Sequence, residues 1–178
     1  TIHINAVNDE PTITIDSNLS TNEDNNQSLT FSLADVEDVS LTLAVETQAT
    51  NGTVTISGSN VTYTPTANYF GNDTFTVSTT DSNNAKVIKT VAVSVVSVND
   101  EPAITIASTL STDEDNNQAL EFTFTDIDSN TVTASQKTEP SHGTISISGT
   151  VITYTPTLNY NGSDTFTITL TDSAGYTI

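Results

Sequence analysis

The sequence predicts an all-β protein made of two tandem Greek-key β-sandwich domains. Three observations carry that expectation: a fixed internal period, alternation of apolar and polar residues, and glycine and proline between the runs. Val7–Pro11 (VNDEP) returns at Val98–Pro102, Thr62–Thr66 (TYTPT) at Thr153–Thr157 and Thr80–Ser82 (TDS) at Thr171–Ser173, each 91 residues on and without a gap. With Val7–Val87 laid on Val98–Ile178, 42 of 81 positions are identical, so the two copies must share one fold.

The elements follow in chain order. Thr1–Ala6 (TIHINA) aligns with Ala92–Ser97 and reads as the tail strand of a preceding repeat. Ser28–Leu33, Thr53–Ser57, Val61–Thr64 and Asp73–Ser78 alternate with a period of two and are rich in Val, Ile, Thr, Phe and Tyr, the half-buried strand pattern. Leu29, Phe31, Leu33, Val54, Ile56, Tyr63, Phe75 and Val77 are expected to face the core, with their counterparts 91 residues on. Gly52, Gly58, Pro65 and Gly71 punctuate these runs as turn residues. About seven short strands per repeat, with turns every eight to twelve residues, is the density of a Greek-key sandwich. The first repeat is expected over 7–98 and the second over 99–178, the two end to end. The second lacks the segment equivalent to Ile88–Val98, its expected last strand. An open edge there invites strand addition, and the Thr1–Val7 segment of a neighbour is the kind of strand that would fill it. The chain contains no Met, which reads as a piece of a longer protein.

Charge narrows the partners. There are 22 acids against 3 Lys plus Arg, a net of −19. Nucleic acid is not an expected partner, because phosphate binding needs a basic surface. Anionic lipid is disfavoured for the same reason, and no apolar run approaches the ~20 residues of a membrane-spanning helix. Without Cys there is no disulfide framework. Cations are favoured, and a charge this large weakens the compact state unless something neutralises it.

Eighteen of the 22 acids fall in five recurring places. They are the linker (Asp9, Glu10, Asp100, Glu101), the EDNN segments (Glu23, Asp24, Asp113, Glu114, Asp115) and the turn after the first Phe strand (Asp35, Glu37, Asp38, Asp126, Asp128). The other two are the start and the end of the later Phe strand (Asp73 and Asp164; Asp81 and Asp172). Carboxylates gathered on loops suit Ca²⁺, a hard cation that takes ~6–8 oxygen ligands in flexible geometry. Asp126 and Asp128 are two apart, so an extended backbone would point both the same way. Asn99 and Asp100 add amide, carbonyl and carboxylate oxygens. Zinc and softer metals are not expected with no Cys and only His3 and His142.

The chain resembles the cadherin-like, or bacterial immunoglobulin-like, tandem repeats of very long bacterial surface and secreted proteins. The residues that carry the likeness are VNDEP at each repeat start, Gly52–Asp81 (GTVTISGSNVTYTPTANYFGNDTFTVSTTD) and Gly143–Asp172 (GTISISGTVITYTPTLNYNGSDTFTITLTD). Cadherin linkers read D-x-N-D-N-x-P, and Ser97–Pro102 here reads S-V-N-D-E-P, with Asn99 and Asp100 on the central N-D. The resemblance implies a Ca²⁺ site at the inter-repeat junction, formed by Asn99, Asp100, Asp126, Asp128 and Asp172 with Glu23 from the first repeat. It implies a matching N-terminal half-site of Asn8, Asp9, Asp35, Glu37 and Asp81. The L-D-R-E motif of cadherins is absent, with Asp73 as a candidate substitute, so fewer ions than a full cadherin junction are expected.

The function implied is a structural spacer or adhesion module on the bacterial cell surface or otherwise extracellular, stiffened by Ca²⁺. Its partners would be the neighbouring repeats of the same chain, without membrane insertion. The alternative is a binding module for a cell-surface polysaccharide or protein. Catalysis is not expected: no Ser/His/Asp trio has a motif-like context, and so small a sandwich offers no deep cleft for an acidic pair. Tyr69 and Tyr160, just before the later Phe strand, read as packing devices of the tyrosine-corner kind. His3 and His142 read as ordinary surface residues.

Overall fold

Alternating β-branched and polar residues produce strands throughout and, among the described residues, no helix. The computed structural model describes residues 1–5, 7–38, 40–128 and 131–178. The chain folds as two units, Thr1–Val98 and Asn99–Ile178.

The first unit contains β1 (Thr12–Ile15), β2 (Asn18–Asn22), β3 (Gln27–Ala34), β4 (Leu43–Thr47), β5 (Gly52–Ser57), β6 (Asn60–Pro65), β7 (Gly71–Thr80) and β8 (Lys86–Val96). One sheet has the order β1-β3-β6-β5 and the other β2-β8-β7-β4. The chain changes sheets between β1 and β2: β1 runs antiparallel to β3, whereas β2 runs parallel to β8. Asp16 holds this crossing by accepting the Asn18 N–H at 3.0 Å. Ser57 pairs with Asn60 across a two-residue loop, and Gly58 at φ 59° supplies the positive dihedral that such a hairpin turn requires.

The core lies between the two sheets. Val54, Tyr63, Phe75 and Val77 are buried as expected, and Leu29, Phe31 and Ile56 pack against them half-buried. Leu33 is half-buried as well. Leu19 and Val61 complete the interior, with Val91, Val93 and Val95 of β8. Gly52 sits beneath the Tyr63 ring, where a Cβ would lie 2.5 Å from Cε2.

The second unit repeats six of these eight strands among the described residues. It contains β9 (Ala103–Ile106), β10 (Gln118–Thr125), β11 (Thr133–Thr138), β12 (Gly143–Ser148), β13 (Val151–Pro156) and β14 (Thr167–Thr171). β12-β13-β10-β9 form the first sheet, and β11-β14 are all that forms of the second among the described residues. No counterpart of β8 is present among them. Residues 109–113, the counterpart of β2, are not strand either, and in the first unit β2 and β8 are ladder partners. Ile178 exchanges two backbone hydrogen bonds with Leu170, the position where Val87 pairs with Thr79 in the first unit. The core is correspondingly smaller: Phe122, Ile152 and Leu170 are buried together, with Leu120, Phe124, Ile145, Ile147, Phe166 and Ile168 half-buried around them.

Among the described residues the N-terminal tail forms no strand. Ile2, Ile4 and Val7 are 90, 93 and 82% exposed, and Ala6 lies outside the described residues.

Candidate metal site

In each unit the expected half-site residues meet at one end of the sandwich, and the two clusters share one plan. In the second unit Asn99 donates its amide to Asp172 Oδ2 at 2.6 Å and to the Asp100 carbonyl at 2.8 Å. The Asp100 N–H donates to Asp128 Oδ2 at 2.6 Å, and the Asp128 N–H to Asp126 Oδ1 at 3.1 Å. In the first unit Asn8 donates to Asp81 Oδ2 at 2.7 Å and to the Asp9 carbonyl at 2.9 Å. The Asp9 N–H reaches Glu37 Oε2 at 3.2 Å, and the Glu37 and Asp38 N–H groups reach Asp35 Oδ1 at 2.8 Å. Glu37 thus does with one more methylene what Asp128 does.

The convergence has a different origin from the expected one. Asp126 and Asp128 follow β10 in a bend and not on an extended strand. The carboxylate of the first residue accepts the N–H of the third, an Asx turn, and this turn aims the third side chain at the linker backbone. Asp81 and Asp172 close the cluster from the end of the later Phe strand. Asp81 Oδ1 accepts Asn83 N–H at 2.9 Å and Ala85 N–H at 2.7 Å; Asp172 Oδ1 accepts Ala174 N–H at 2.9 Å and Tyr176 N–H at 2.8 Å.

These bonds set the protonation states. The Asn8 amide, with the Ala85 and Asn83 N–H groups, holds the Asp81 carboxyl below the usual carboxylate range against the cost of burial. Burial disfavours the charged form of Asp172, yet the Asn99 amide and the backbone N–H groups of residues 174–176 outweigh it and hold the group low as well. Both are carboxylates at neutral pH. The Asn83 amide also donates to Asn8 Oδ1, where Ala174 stands in the second repeat.

Glu23 lies elsewhere in the first unit, at the far end of the β7–β8 hairpin from Asp81. Its N–H donates to the Val96 carbonyl at 2.9 Å, and its Oε1 accepts the Val98 N–H at 2.6 Å. The side chain is 2% exposed, and among the described residues Oε2 has no hydrogen-bond partner. Its counterpart Glu114 is exposed. Asp35 Oδ2 is likewise buried without a hydrogen-bond partner among the described residues. A buried carboxylate oxygen left unpaired is costly, and a cation relieves the cost. The donors are all oxygens, from carboxylates, amides and backbone, which fits Ca²⁺ and disfavours soft metals.

Several other acids act as clamps on the backbone. Asp73 accepts the N–H groups of Thr50 at 3.1 Å, Asn51 at 2.8 Å and Thr74 at 2.8 Å, and the Tyr63 hydroxyl at 3.1 Å. It is a buried anchor for the loop before β5, so it does not replace the missing cadherin motif. Asp164 repeats the same four bonds. Asp24 Oδ1 takes the Asn68 N–H at 2.9 Å and Asp115 Oδ1 the Asn159 N–H at 2.6 Å; all four residues have positive φ. A repeated acid beside a repeated Asn in a turn was the sequence signal for this clamp. The Tyr69 and Tyr160 hydroxyls donate to the Asn72 and Ser163 carbonyls at 2.6 and 2.8 Å, bridging over Gly71 and Gly162, which is a packing role.

The bacterial Ig domain family model matches residues 8–94 and 99–178. A search of curated protein sequences returns no match. Among solved structures, the protocadherin GammaB4 extracellular domain aligns at 16% identity with a TM-score of 0.59, over 95% of this chain and 30% of that one. The protocadherin Gamma B2 fragment of cadherin domains 3–6 aligns at 15% identity and 0.56, over 91% and 43%. The chain therefore spans less than half the length of either protocadherin structure. The Yersinia pseudotuberculosis adhesin InvE aligns at 14% identity and 0.37, over 93% and 56%, a likeness too distant to carry an argument.

Proposed function

Both repeats of this chain belong to the bacterial Ig domain family, and from that premise we propose a structural spacer or adhesion module of a bacterial surface protein, stiffened by Ca²⁺ at inter-repeat junctions. The observation that carries the reading is the repeated cluster of Asx turn, linker Asn-Asp and strand-end Asp, built from the same bonds in both units. Asn99, Asp100, Asp126, Asp128 and Asp172 would hold the ion in the second repeat, and Asn8, Asp9, Asp35, Glu37 and Asp81 in the first. Glu23 joins the set from the C-terminal end of the first repeat, with one carboxylate oxygen to offer.

The mechanism is electrostatic. Like charges a few Å apart repel by ~1 kcal/mol when fully solvated and by more when partly buried. Without a cation, an acidic linker favours separation of the charges, and domains joined by a linker move by default. Bound Ca²⁺ replaces repulsion by shared coordination, so one inter-repeat angle is selected. Extracellular sites of this kind bind with Kd on the order of 10⁻⁴–10⁻³ M, filled in sea water or host fluid and empty inside a cell.

The test is Ca²⁺ titration by calorimetry, paired with solution scattering with and without chelator, on the native chain and on Asp100→Ala. Ca²⁺ should narrow the distribution of particle lengths. Asp100→Ala should weaken binding and abolish the narrowing while both sandwiches stay folded. If Asp100→Ala leaves affinity and scattering unchanged, the acids are a solubilising coat and the junction-site reading is wrong.

A further inference from the structure

We propose that Asn161 is a site of spontaneous covalent modification, an intramolecular deamidation that the fold permits in the second repeat and suppresses at the other Asn-Gly pair, Asn51-Gly52. The chain has these two Asn-Gly pairs and no others. In each, the backbone nitrogen of the glycine can attack the asparagine side-chain Cγ. The N–Cγ bond forms as the Cγ–Nδ2 bond breaks and ammonia leaves, giving a five-membered succinimide. Water then opens either carbonyl, yielding aspartate or isoaspartate. Glycine is the most permissive residue for this attack because it lacks the Cβ that would hinder the swing of its peptide.

The two pairs differ in burial and in the bonds that hold the asparagine peptide. The Asn51 N–H donates to Asp73 Oδ2 at 2.8 Å. Its carbonyl accepts the Thr66 N–H at 2.8 Å and the Tyr63 hydroxyl at 3.3 Å. Gly52 opens β5 and lies under the Tyr63 ring. Cyclisation must rotate the Asn51-Gly52 peptide, breaking the bonds to its carbonyl and pushing the glycine against the ring. Asn161, by contrast, is exposed and outside any strand, and so is Gly162 at φ 147°. What holds this pair is exposed: the Tyr160 hydroxyl bonds the Ser163 carbonyl and lies over Gly162, 2.8 Å from where a Cβ would sit, while Tyr63 over Gly52 is buried. The first repeat has Phe70-Gly71 at this place, so the modification marks the second repeat alone.

The product has structural consequences. Aspartate adds a negative charge to a chain already at −19. Isoaspartate inserts a methylene into the backbone under the Tyr160 bridge and disturbs the His142 ring stacked on Tyr160 at 4.2 Å.

The experiment is ageing of the folded chain at mildly alkaline pH, with peptide mapping by mass spectrometry for the one-mass-unit gain and for isoaspartate. The Asn161 peptide should convert about tenfold or more faster than the Asn51 peptide, the ratio expected if bonds that must break first hold Asn51 back. Parallel ageing in urea should bring the two rates together. Asn161→Gln should remove the fast phase without changing the slow one. Equal rates in the folded chain overturn the proposal, as does a rate gap that survives in urea, which would place the cause in local sequence and not in the fold.

Discussion

Replacing Asp73 by Ala tests how far one buried carboxylate holds a repeat together. The group is 7% exposed and accepts three backbone N–H groups and the Tyr63 hydroxyl. Truncation leaves the Thr50 and Asn51 N–H groups without acceptors, and each stranded donor costs about 1–3 kcal/mol. The Tyr63 hydroxyl keeps its weaker bond to the Asn51 carbonyl and loses less. The sum is about 3–5 kcal/mol, a large share of the 5–15 kcal/mol that stabilises an ordinary domain. Urea titration followed by hydrogen exchange of β5–β7 and β12–β14 peptides resolves the two units. The first unit's midpoint should fall by about 2 M or more, at ~1–2 kcal/mol per molar urea for a domain of this size. Asp164→Ala removes the same four bonds where the carboxylate is half-buried, so water can replace part of what is lost and the second unit should lose less. A loss below about 1 kcal/mol for Asp73→Ala, the level of an ordinary surface substitution, would refute the reasoning. So would an Asp164→Ala loss larger than that of Asp73→Ala.

Further outcomes follow from neighbouring contacts. Gly52→Ala places a Cβ 2.5 Å from the Tyr63 ring and 2.7 Å from the Thr64 carbonyl oxygen, both in the rigid interior of the sheet. It should cost about 2–4 kcal/mol by thermal melting, whereas Gly58→Ala, at φ 59° with open space around it, should cost only the ~1 kcal/mol of a left-handed alanine. Acid should unfold both units from about pH 4 downward. Hydrogen bonds hold Asp73 and Asp164 below the usual range despite burial, and Asp81 and Asp172 are held low as well. A folded-state pKa below the unfolded one means stability that is present above the unfolded value and lost as pH falls through the folded value. Circular dichroism against pH, compared between the native chain and Asp73→Ala, should show a shallower acid loss in the variant, and an identical profile would remove Asp73 from the account.

The sequence alone determined much of this protein, because its two most informative patterns are local. Alternation in Thr53–Ser57 and Asp73–Ser78 fixes which side chains face inward on any strand, and the 91-residue repeat carries that assignment to the second copy. The Asn-Asp linker and the acids after the first Phe strand were likewise legible as a recurring set. Other features depended on contacts that alternation and spacing do not announce. Leu19 and Val95 became core only because β2 runs parallel to β8, a pairing of strands some seventy residues apart that no local period announces. Asp126 and Asp128 converge through an Asx turn and not through strand geometry, because the carboxylate of one binds the backbone of the other. Among acids that look alike in sequence, Asp73 is a clamp while Asp35 and Glu23 each keep an oxygen without a hydrogen-bond partner among the described residues. What separates them is how many N–H groups the tertiary fold brings to each carboxylate, and composition and spacing carry no record of that number.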